Sequence, residues 1–252
     1  MKLFKKFFLK KFIENGFPNR KQEDWKFLDI SQIIKKNISD LSYFIDYSQS
    51  NKIDPFTFVD GLEHNKIIFL NGRIEKIDFN HEDKSKIEIS DETKKDISFN
   101  YENSLIDLNS AFINKVFKII VNKNYSLKKP LIIYHSTNDK MKSTNVNLRL
   151  DFELGENSCL RLIDFFTNNT NKNFINILYN FNLLKDSILK NYKIDKFKND
   201  NLKYSFNNIV QANNSVSETF ILSAGSDYFK NEINCNLNGE YSSAFINGVF
   251  SL

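Results

Sequence analysis

The feature that most constrains this fold is an alternation of apolar and polar side chains that begins near residue 116 and continues to the end of the sequence. Over 146–154 every second residue is apolar, and the positions between are Asn, Arg, Asp and Glu. In the segment 174–184 every second residue is again apolar, namely Ile175, Ile177, Tyr179, Phe181 and Leu183. Because successive side chains of a β-strand point to opposite faces, both segments are predicted to be strands with one buried face.

Short strands of this kind follow one another without helices between them. Apolar runs begin about every 14 residues, and turn residues such as Asn238-Gly239 separate them. Besides the two segments above, runs begin near Val116, Leu131, Leu160, Ser187, Leu202, Val216, Phe229 and Ser243. This spacing is typical of a β-solenoid, a barrel or a two-sheet sandwich. Because no strict sequence repeat is present, the pattern alone leaves that choice open.

The first hundred residues have a more mixed pattern. Residues 2–15 are predicted to form a basic helix with an apolar stripe, which we expect to dock on the protein itself rather than on anionic lipid. The stripe consists of Phe4, Phe7, Phe8, Phe12 and Ile13. Residues 30–47 are predicted to be a short helix and a loop. Residues 66–79 are predicted to be a β-hairpin that turns at Asn71-Gly72, and residues 82–99 a charged loop.

A further helix is predicted over 103–114, just before the alternating part of the sequence. One side of that helix is apolar and consists of Leu105, Leu108 and Phe112. We therefore divide the chain into a helical or mixed N-terminal region, residues 1–100, and a β-rich core, residues 101–252.

The single tryptophan of the sequence, Trp25, lies among charged residues. Large aromatic side chains contribute most when they are buried. We predict that Trp25 and Phe27 anchor the N-terminal segment to the rest of the protein.

Composition limits the classes of function. The formal net charge of +4 and the pI of 8.8 are too mild for a typical nucleic-acid binder, and we expect no nucleic acid among the partners. No stretch approaches the ~20 apolar residues of a membrane span, and lysines interrupt every apolar run near the N-terminus. We expect a cytoplasmic protein without stable membrane insertion.

Candidate catalytic residues are scarce. His64, His81 and His135 have no metal-type spacing, and no phosphate-binding glycine motif is present. We expect His64 and His81 in exposed segments and His135 at the surface. The carboxylates of Asp151 and Glu153 could mimic a glycosidase pair, but their alternation with apolar residues favours a solvated strand face.

The two cysteines, Cys159 and Cys235, form neither a CxxC pair nor a disulfide framework. Strand alternation places Cys235 on an apolar face as a small core residue, and Cys159 follows a turn as a free thiol. Two isolated thiols cannot complete a four-ligand iron–sulfur site. We therefore predict no catalytic, cofactor-binding or metal-binding residue in this chain.

An ordered series of short motifs runs through nearly the whole chain. Its members are Pro18-Asn19-Arg20-Lys21-Gln22-Glu23-Asp24-Trp25-Lys26-Phe27, Ile67-Ile68-Phe69-Leu70-Asn71-Gly72-Arg73, Asn109-Ser110-Ala111-Phe112, Leu127-Lys128-Lys129-Pro130-Leu131, Lys230-Asn231-Glu232-Ile233, Asn238-Gly239-Glu240 and Asn247-Gly248. The series resembles the SufB/SufD family, and most closely its SufD branch. No single motif is specific, but their order is.

The resemblance implies a right-handed parallel β-helix preceded by a small helical region. It also implies a non-catalytic scaffold role in the SUF complex for iron–sulfur cluster assembly, with a SufB-like subunit and a SufC-like ATPase as partners. In such complexes the partner subunits handle the clusters and ATP, so this chain alone is expected to bind no cofactor.

The chain departs from the family pattern at its C-terminus. The family continues with further coils and a helical segment, whereas this sequence ends at Leu252, within an apolar run. We expect a C-terminally truncated, incomplete β-helix, and no functional residue of the family can be transferred to a position here. The alternatives are a carbohydrate-active β-helix protein and a lipid-surface or interaction module that uses the basic N-terminal helix.

Overall fold

The computed structural model describes residues 2–43, 59–92, 103–137, 141–166, 172–195, 199–224 and 226–251. The structure is mainly β, with 51% of the described residues in strands, a β-solenoid of about four turns and an N-terminal helical region. The helices are α1 Lys2–Asn15, α2 Ile30–Asn37 and α3 Ser104–Phe112. The strands are β1 Asn65–Leu70, β2 Arg73–Asp78, β3 Ile87–Glu92, β4 Val116–Val121, β5 Leu131–Ser136, β6 Asn145–Leu154, β7 Cys159–Phe166, β8 Phe174–Leu183, β9 Ile188–Asp195, β10 Asn199–Gln211, β11 Val216–Ser223, β12 Ser226–Leu237 and β13 Ser243–Phe250.

Successive strands of the alternating region go to two different sheets. Within the described residues, one sheet has the order β13-β11-β9-β7-β5-β1-β2, and the other has the order β12-β10-β8-β6-β4-β3. From β4 onward each strand pairs in parallel with the strand two places further along the chain. This confirms the predicted stacked coils and excludes an antiparallel sandwich.

One corner of each coil is made by a residue with a positive φ angle. Four of these residues are Asn or Asp, whose short polar side chains tolerate the left-handed conformation. They are Asn124, Asn157, Asp186 and Asn214. At the same corner Gly155 has no room for a side chain, because a Cβ atom there would lie 2.5 Å from the backbone nitrogen of Lys123. The corners can therefore stack closely from coil to coil.

The helix α3 covers the outer face of the β4-to-β12 sheet. The Asn109 side chain donates hydrogen bonds to the carbonyl oxygens of Leu148 in β6 and Asn176 in β8, at 3.1 and 2.9 Å. The helix predicted over 103–114 is thus confirmed, with Leu105 and Leu108 fully buried. The strands β6 and β8, on which α3 packs, are therefore largely buried on both faces.

The predicted docking of α1 is confirmed for part of its apolar stripe. Phe12 is buried against Phe17, and Phe4 packs on the cluster formed by Ile113 and Val116. Phe7 and Ile13 of the same stripe are exposed. The helix α2 is capped by Asp29, whose side chain accepts a hydrogen bond from the Gln32 backbone nitrogen at 3.0 Å.

The hairpin at Asn71-Gly72 is confirmed, since β1 and β2 pair antiparallel and both turn residues have positive φ angles. The charged loop expected over 82–99 is wrong for its middle part. There β3 pairs antiparallel with β4, and Ile87 is buried. The remainder, 93–99, lies outside the described residues. The charged residues of this short edge strand obscure its apolar alternation in the sequence.

Glu82 is a second buried feature of that segment. Its carboxylate accepts hydrogen bonds from the Asn65 side chain (2.8 Å), the Tyr125 hydroxyl (2.6 Å) and the backbone nitrogens of Lys128 (3.1 Å) and Lys129 (3.0 Å). Burial alone would raise the pKa of Glu82, but these bonds together hold it below its ordinary value. The carboxylate thereby fixes the chain segment that leads into β5.

The strands β1 and β3 precede the proposed boundary at residue 100 and yet lie in the two sheets of the solenoid. The division into 1–100 and 101–252 remains a prediction. Among the described residues, no helix has the length and apolar character needed to cross a membrane.

The edge strand β13 predicts self-association. Its apolar side chains Phe245, Ile246, Val249 and Phe250 are each more than half exposed. Exposed apolar edge strands are templates for pairing with another chain. We expect the protein to associate in a concentration-dependent way in sedimentation velocity. Ile246→Lys should weaken this association about tenfold, or ~1.4 kcal/mol.

Ile13→Lys is the matched control, because Ile13 is exposed and lies on helix α1, outside both sheets. That variant should associate like the original protein. A protein that stays monomeric at every concentration would contradict the prediction.

Candidate functional site: a charged cluster inside the solenoid

Charged side chains lie between the inward faces of the two sheets. In the sheet that contains β5, one inward position is occupied in successive strands by residues in direct register. They are Ile133, Asp164, Lys193, Ile221 and Gly248. Asp164 and Lys193 are therefore stacked neighbours on β7 and β9, and both are fully buried.

Asp164 is the centre of the cluster. Lys193 Nζ donates to its Oδ2 atom at 2.8 Å, and His135 Nε2 lies 2.5 Å from its Oδ1 atom. The Tyr179 hydroxyl also donates to Asp164 Oδ2. Tyr179 belongs to β8 in the opposite sheet, so these bonds join the two sheets across the interior.

A second ion pair lies in the following coil. Lys203 Nζ of β10 is 2.5 Å from Asp195 Oδ1 of β9, and both residues are buried. The same ammonium group lies 4.7 Å from the ring centroid of Phe166 and 5.6 Å from that of Phe229. Aromatic faces attract cations, which adds to the ion pair. Each buried lysine thus has one buried aspartate as partner.

The pKa directions agree with these contacts. Burial alone would raise the pKa of Asp164, but Lys193 and His135 hold it well below its usual range. Burial, together with Asp164, raises the pKa of Tyr179 well above its ordinary value. Burial lowers the pKa of both Lys193 and Lys203, although their aspartates act in the opposite direction. Asp164 is therefore ionised at neutral pH, and Tyr179 keeps its proton to donate.

Chemically, the arrangement holds charge in place rather than presenting it to a substrate. Asp164, Tyr179 and Lys193 have no exposed surface of consequence. Lys203 also lines a cavity of about 200 Å³ between the solenoid and the segment that contains Ile30. We interpret the cluster as the element that fixes the spacing of the two sheets in the middle coils.

The expectation for His135 is wrong. Its ring is buried and stacks between Phe69 and Phe166, with centroids 5.8 and 4.9 Å away. The reason is that β5 continues beyond its apolar run, so His135 shares the inward face with Leu131. His81 is exposed as expected, whereas His64 is half-buried and its Nε2 atom lies 2.9 Å from the Tyr134 hydroxyl.

The structure does not bring the two cysteines into one sheet. Cys159 lies in β7 and Cys235 in β12, and these strands belong to different sheets. Cys235 packs against the main apolar core as predicted, and both thiols are half-buried. Burial raises the pKa of each thiol, which lowers the fraction of reactive thiolate at neutral pH.

We expected Asp151 and Glu153 to lie on a solvated strand face, and this expectation is wrong for Asp151. Its carboxylate is buried and accepts hydrogen bonds from Arg149 Nε at 3.2 Å and from the Asn180 side chain at 2.9 Å. Glu153 is partly exposed and pairs with Lys118 at 3.2 Å. Asp151 is buried because other parts of the protein pack on the outer face of this sheet. A buried Asp151 cannot serve as one half of an open glycosidase pair.

The part of the chain that the structure describes holds no group of three or more His, Cys, Asp and Glu side chains arranged to bind a metal ion. The residues that sequence reasoning missed are Asp164, Lys193, Asp195 and Lys203. A signal for them existed, because alternation places Asp164 in phase with the inward residues Leu160 and Leu162. A charged residue at a position where the alternation otherwise has apolar, inward-facing side chains indicates a buried polar network.

The fold therefore consists of stacked two-strand coils, and the charged side chains buried between the two sheets are paired with one another. No curated protein matches the chain. A match to a family model covers the second half of β5 and all of β6 to β13. It suggests a role in iron–sulfur cluster assembly. Residues 134–252 match the model described as "SUF system FeS cluster assembly, SufBD core domain", and this part of the chain is therefore similar to that core domain.

Proposed function

We propose that this chain is a non-catalytic scaffold subunit of a SUF-type complex for iron–sulfur cluster assembly. The observation that carries the proposal is that the SufBD core-domain match, residues 134–252, covers the stacked coils of the solenoid from the second half of β5 to β13. The motif series described above adds support, because it extends into the N-terminal region.

The proposed partners are a SufB-like subunit and a SufC-like ATPase, and the proposed location is the cytoplasm. The motif order favours the SufD branch over the SufB branch. ATP hydrolysis is assigned to the SufC-like partner, since this sequence has no glycine-rich phosphate loop. Iron–sulfur clusters are the cargo of the complex rather than a resident cofactor of this chain.

A scaffold role fits the interior of the solenoid. The charged groups are paired with one another and buried, and both thiols have raised pKa values. These properties suit a rigid body that positions partners. They do not supply an exposed nucleophile or a general base.

Co-expression tests the proposal. The tagged chain is produced with the SufB-like and SufC-like proteins of the same genome, purified through the tag and analysed by size-exclusion chromatography with mass spectrometry. We expect one peak that contains all three proteins. The Ile246→Lys variant is analysed in parallel, so that non-specific association through the exposed edge strand β13 is separated from specific assembly. Circular dichroism should show that this variant is folded. The proposal is contradicted if the original chain and the Ile246→Lys variant both elute without either partner protein.

A further inference from the structure

The helix α1 has one side that packs on the protein and another that faces solvent. On the packed side Phe12 is buried, and Phe4 contacts the cluster of Ile113 and Val116. Between residues 6 and 14 the exposed side chains are Lys6, Phe7, Lys10, Lys11, Ile13 and Glu14. The docking of α1 therefore uses only part of the helix surface, and the exposed side is open to a partner.

The net positive charge of the protein is concentrated in this helix. It contains five lysines and a single acidic residue, Glu14. Its formal charge of +4 equals that of the whole chain, so the remaining residues are together neutral. Glu14 also pairs with Lys10 Nζ at 3.7 Å. A local excess of positive charge on an otherwise neutral protein favours an anionic partner and turns α1 toward it.

Two large apolar side chains lie among the exposed lysines. Phe7 is 54% exposed and Ile13 is 70% exposed. Residues three or four apart are neighbours on a helix, so both side chains lie next to Lys10. Lys11 Nζ is 5.1 Å from the centroid of the Phe7 ring. The exposed side of α1 thus combines cationic and apolar groups within a few residues of one another.

This combination distinguishes between anionic partners. Nucleic acid offers phosphates and takes up aromatic rings by base stacking, but Ile13 cannot make that contact. An anionic bilayer matches both kinds of side chain, because its phosphates lie directly above an apolar layer. The long side chains of lysine can keep their charged ends at the phosphates while neighbouring apolar groups go deeper.

We propose that the exposed side of α1 binds reversibly to the surface of an anionic phospholipid bilayer. The helix lies parallel to the membrane surface. Phe7 and Ile13 reach the boundary of the acyl chains, and the lysines between them remain at the phosphates. The buried side of α1 stays docked on the protein, so the contact is peripheral. The proposal is independent of the proposed scaffold role.

Flotation of the full chain with lipid vesicles tests the proposal. Vesicle-bound protein rises in a density gradient, whereas protein that has only self-associated does not. The vesicles consist of phosphatidylcholine, either pure or with about 30% phosphatidylserine. We expect binding to the anionic vesicles to be about tenfold stronger or more, and to weaken steeply as the salt concentration rises.

Reversal of two charges on α1 tests the electrostatic part. Lys6→Glu/Lys10→Glu should weaken binding to the anionic vesicles by about tenfold or more, because it replaces two attractive charges with repulsive ones. Lys123→Glu/Lys185→Glu is the matched control, since it changes the net charge equally. Both control residues are exposed and lie outside α1, after the ends of β4 and β8. The control should retain most of the binding.

Removal of the exposed apolar groups tests the other part. Phe7→Gln/Ile13→Gln should weaken binding several-fold without a change in net charge. Leu62→Gln/Ile77→Gln is its control, because these two residues are 41% and 45% exposed and lie outside α1. That control should bind like the original protein. Since all eight positions are on the surface, each variant should keep the original melting temperature.

Several outcomes would overturn the proposal. One is a chain that does not float with the anionic vesicles, or that floats equally well with pure phosphatidylcholine. Another is equal binding by Lys6→Glu/Lys10→Glu and its Lys123→Glu/Lys185→Glu control. A third is a short double-stranded DNA that binds the chain as tightly as the vesicles at the same salt concentration, which would indicate a general polyanion surface.

Discussion

Asp164→Asn should lower the free energy of unfolding by ~3–5 kcal/mol, because it leaves the buried Lys193 ammonium without a carboxylate. The two residues are in register on neighbouring strands, and the ion pair measures 2.8 Å. The substitution also takes the anionic acceptor from His135 and Tyr179. Urea denaturation measures the loss, which is a large share of a typical stability of about 5–15 kcal/mol.

A matched pair on the outer face of the same sheet provides the control. Lys190 of β9 and Glu218 of β11 lie 3.3 Å apart and are both exposed. Exposed pairs contribute at most about 1 kcal/mol, so Glu218→Gln should change stability little. The double variant Asp164→Leu/Lys193→Met should recover much of the loss, since apolar residues often replace a buried ion pair at small cost. Equal effects of Asp164→Asn and Glu218→Gln would contradict a structural role for the cluster.

The sign of the pH dependence follows from the pKa of Asp164. Its folded-state pKa is held well below the ordinary value of about 3.9. Its contribution to stability is therefore present above pH ~3.9 and is lost only as the pH falls toward the lowered folded-state value. Below pH ~3.9 the stability difference between the original protein and Asp164→Asn should shrink, as acid denaturation monitored by circular dichroism would show.

The strands of the solenoid were predictable because alternation is a strong local signal. The pattern over 146–154 corresponds to β6, and the one over 174–184 corresponds to β8. What alternation cannot predict is which strands pair, because pairing depends on the length of each turn. The spacing between paired residues changes along the solenoid, from Phe117 with Leu150 to Phe174 with Leu202.

Predictions from local sequence patterns were wrong where burial or pairing depends on segments that are distant in the sequence. Asp151 alternates with apolar residues as a solvated residue would, yet the face on which it lies is buried. The strand β3 was taken for a loop because its Glu and Asp residues mask a short alternation around Ile87 and Ile89. Both errors arise from neighbours that are distant in sequence, which no window of a few residues contains.

The candidate site was predictable in part. Asp164 and Lys193 each occupy an inward phase of an alternating strand, so their burial could be inferred from the sequence. Their mutual contact could not, because it requires the register between β7 and β9. Tyr179 reaches them from the opposite sheet, and no sequence spacing encodes that approach.

Trp25→Ala should destabilise the protein by ~3–5 kcal/mol, because Trp25 is 4% exposed and large-to-small changes in a core cost that amount. The indole packs on Tyr204 of β10 with centroids 5.9 Å apart, and Lys230 Nζ of β12 lies 4.4 Å from the ring centroid. Lys230 also donates to the Asp24 carbonyl oxygen at 2.9 Å. These contacts fasten the N-terminal segment to the later coils.

The variant Phe27→Ala is the control that separates anchoring by Trp25 from a general effect of removing an aromatic side chain. Phe27 was expected to share the anchoring role, but its side chain is 86% exposed, because the chain turns away after the 3-10 turn Glu23–Trp25. Phe27→Ala should therefore change stability by less than about 0.5 kcal/mol. Thermal melts give the global effect. Limited proteolysis detects local release of residues 2–43, which Trp25→Ala should accelerate and Phe27→Ala should not. Equal melting temperatures and cleavage rates for the two variants would show that Trp25 does not anchor this segment.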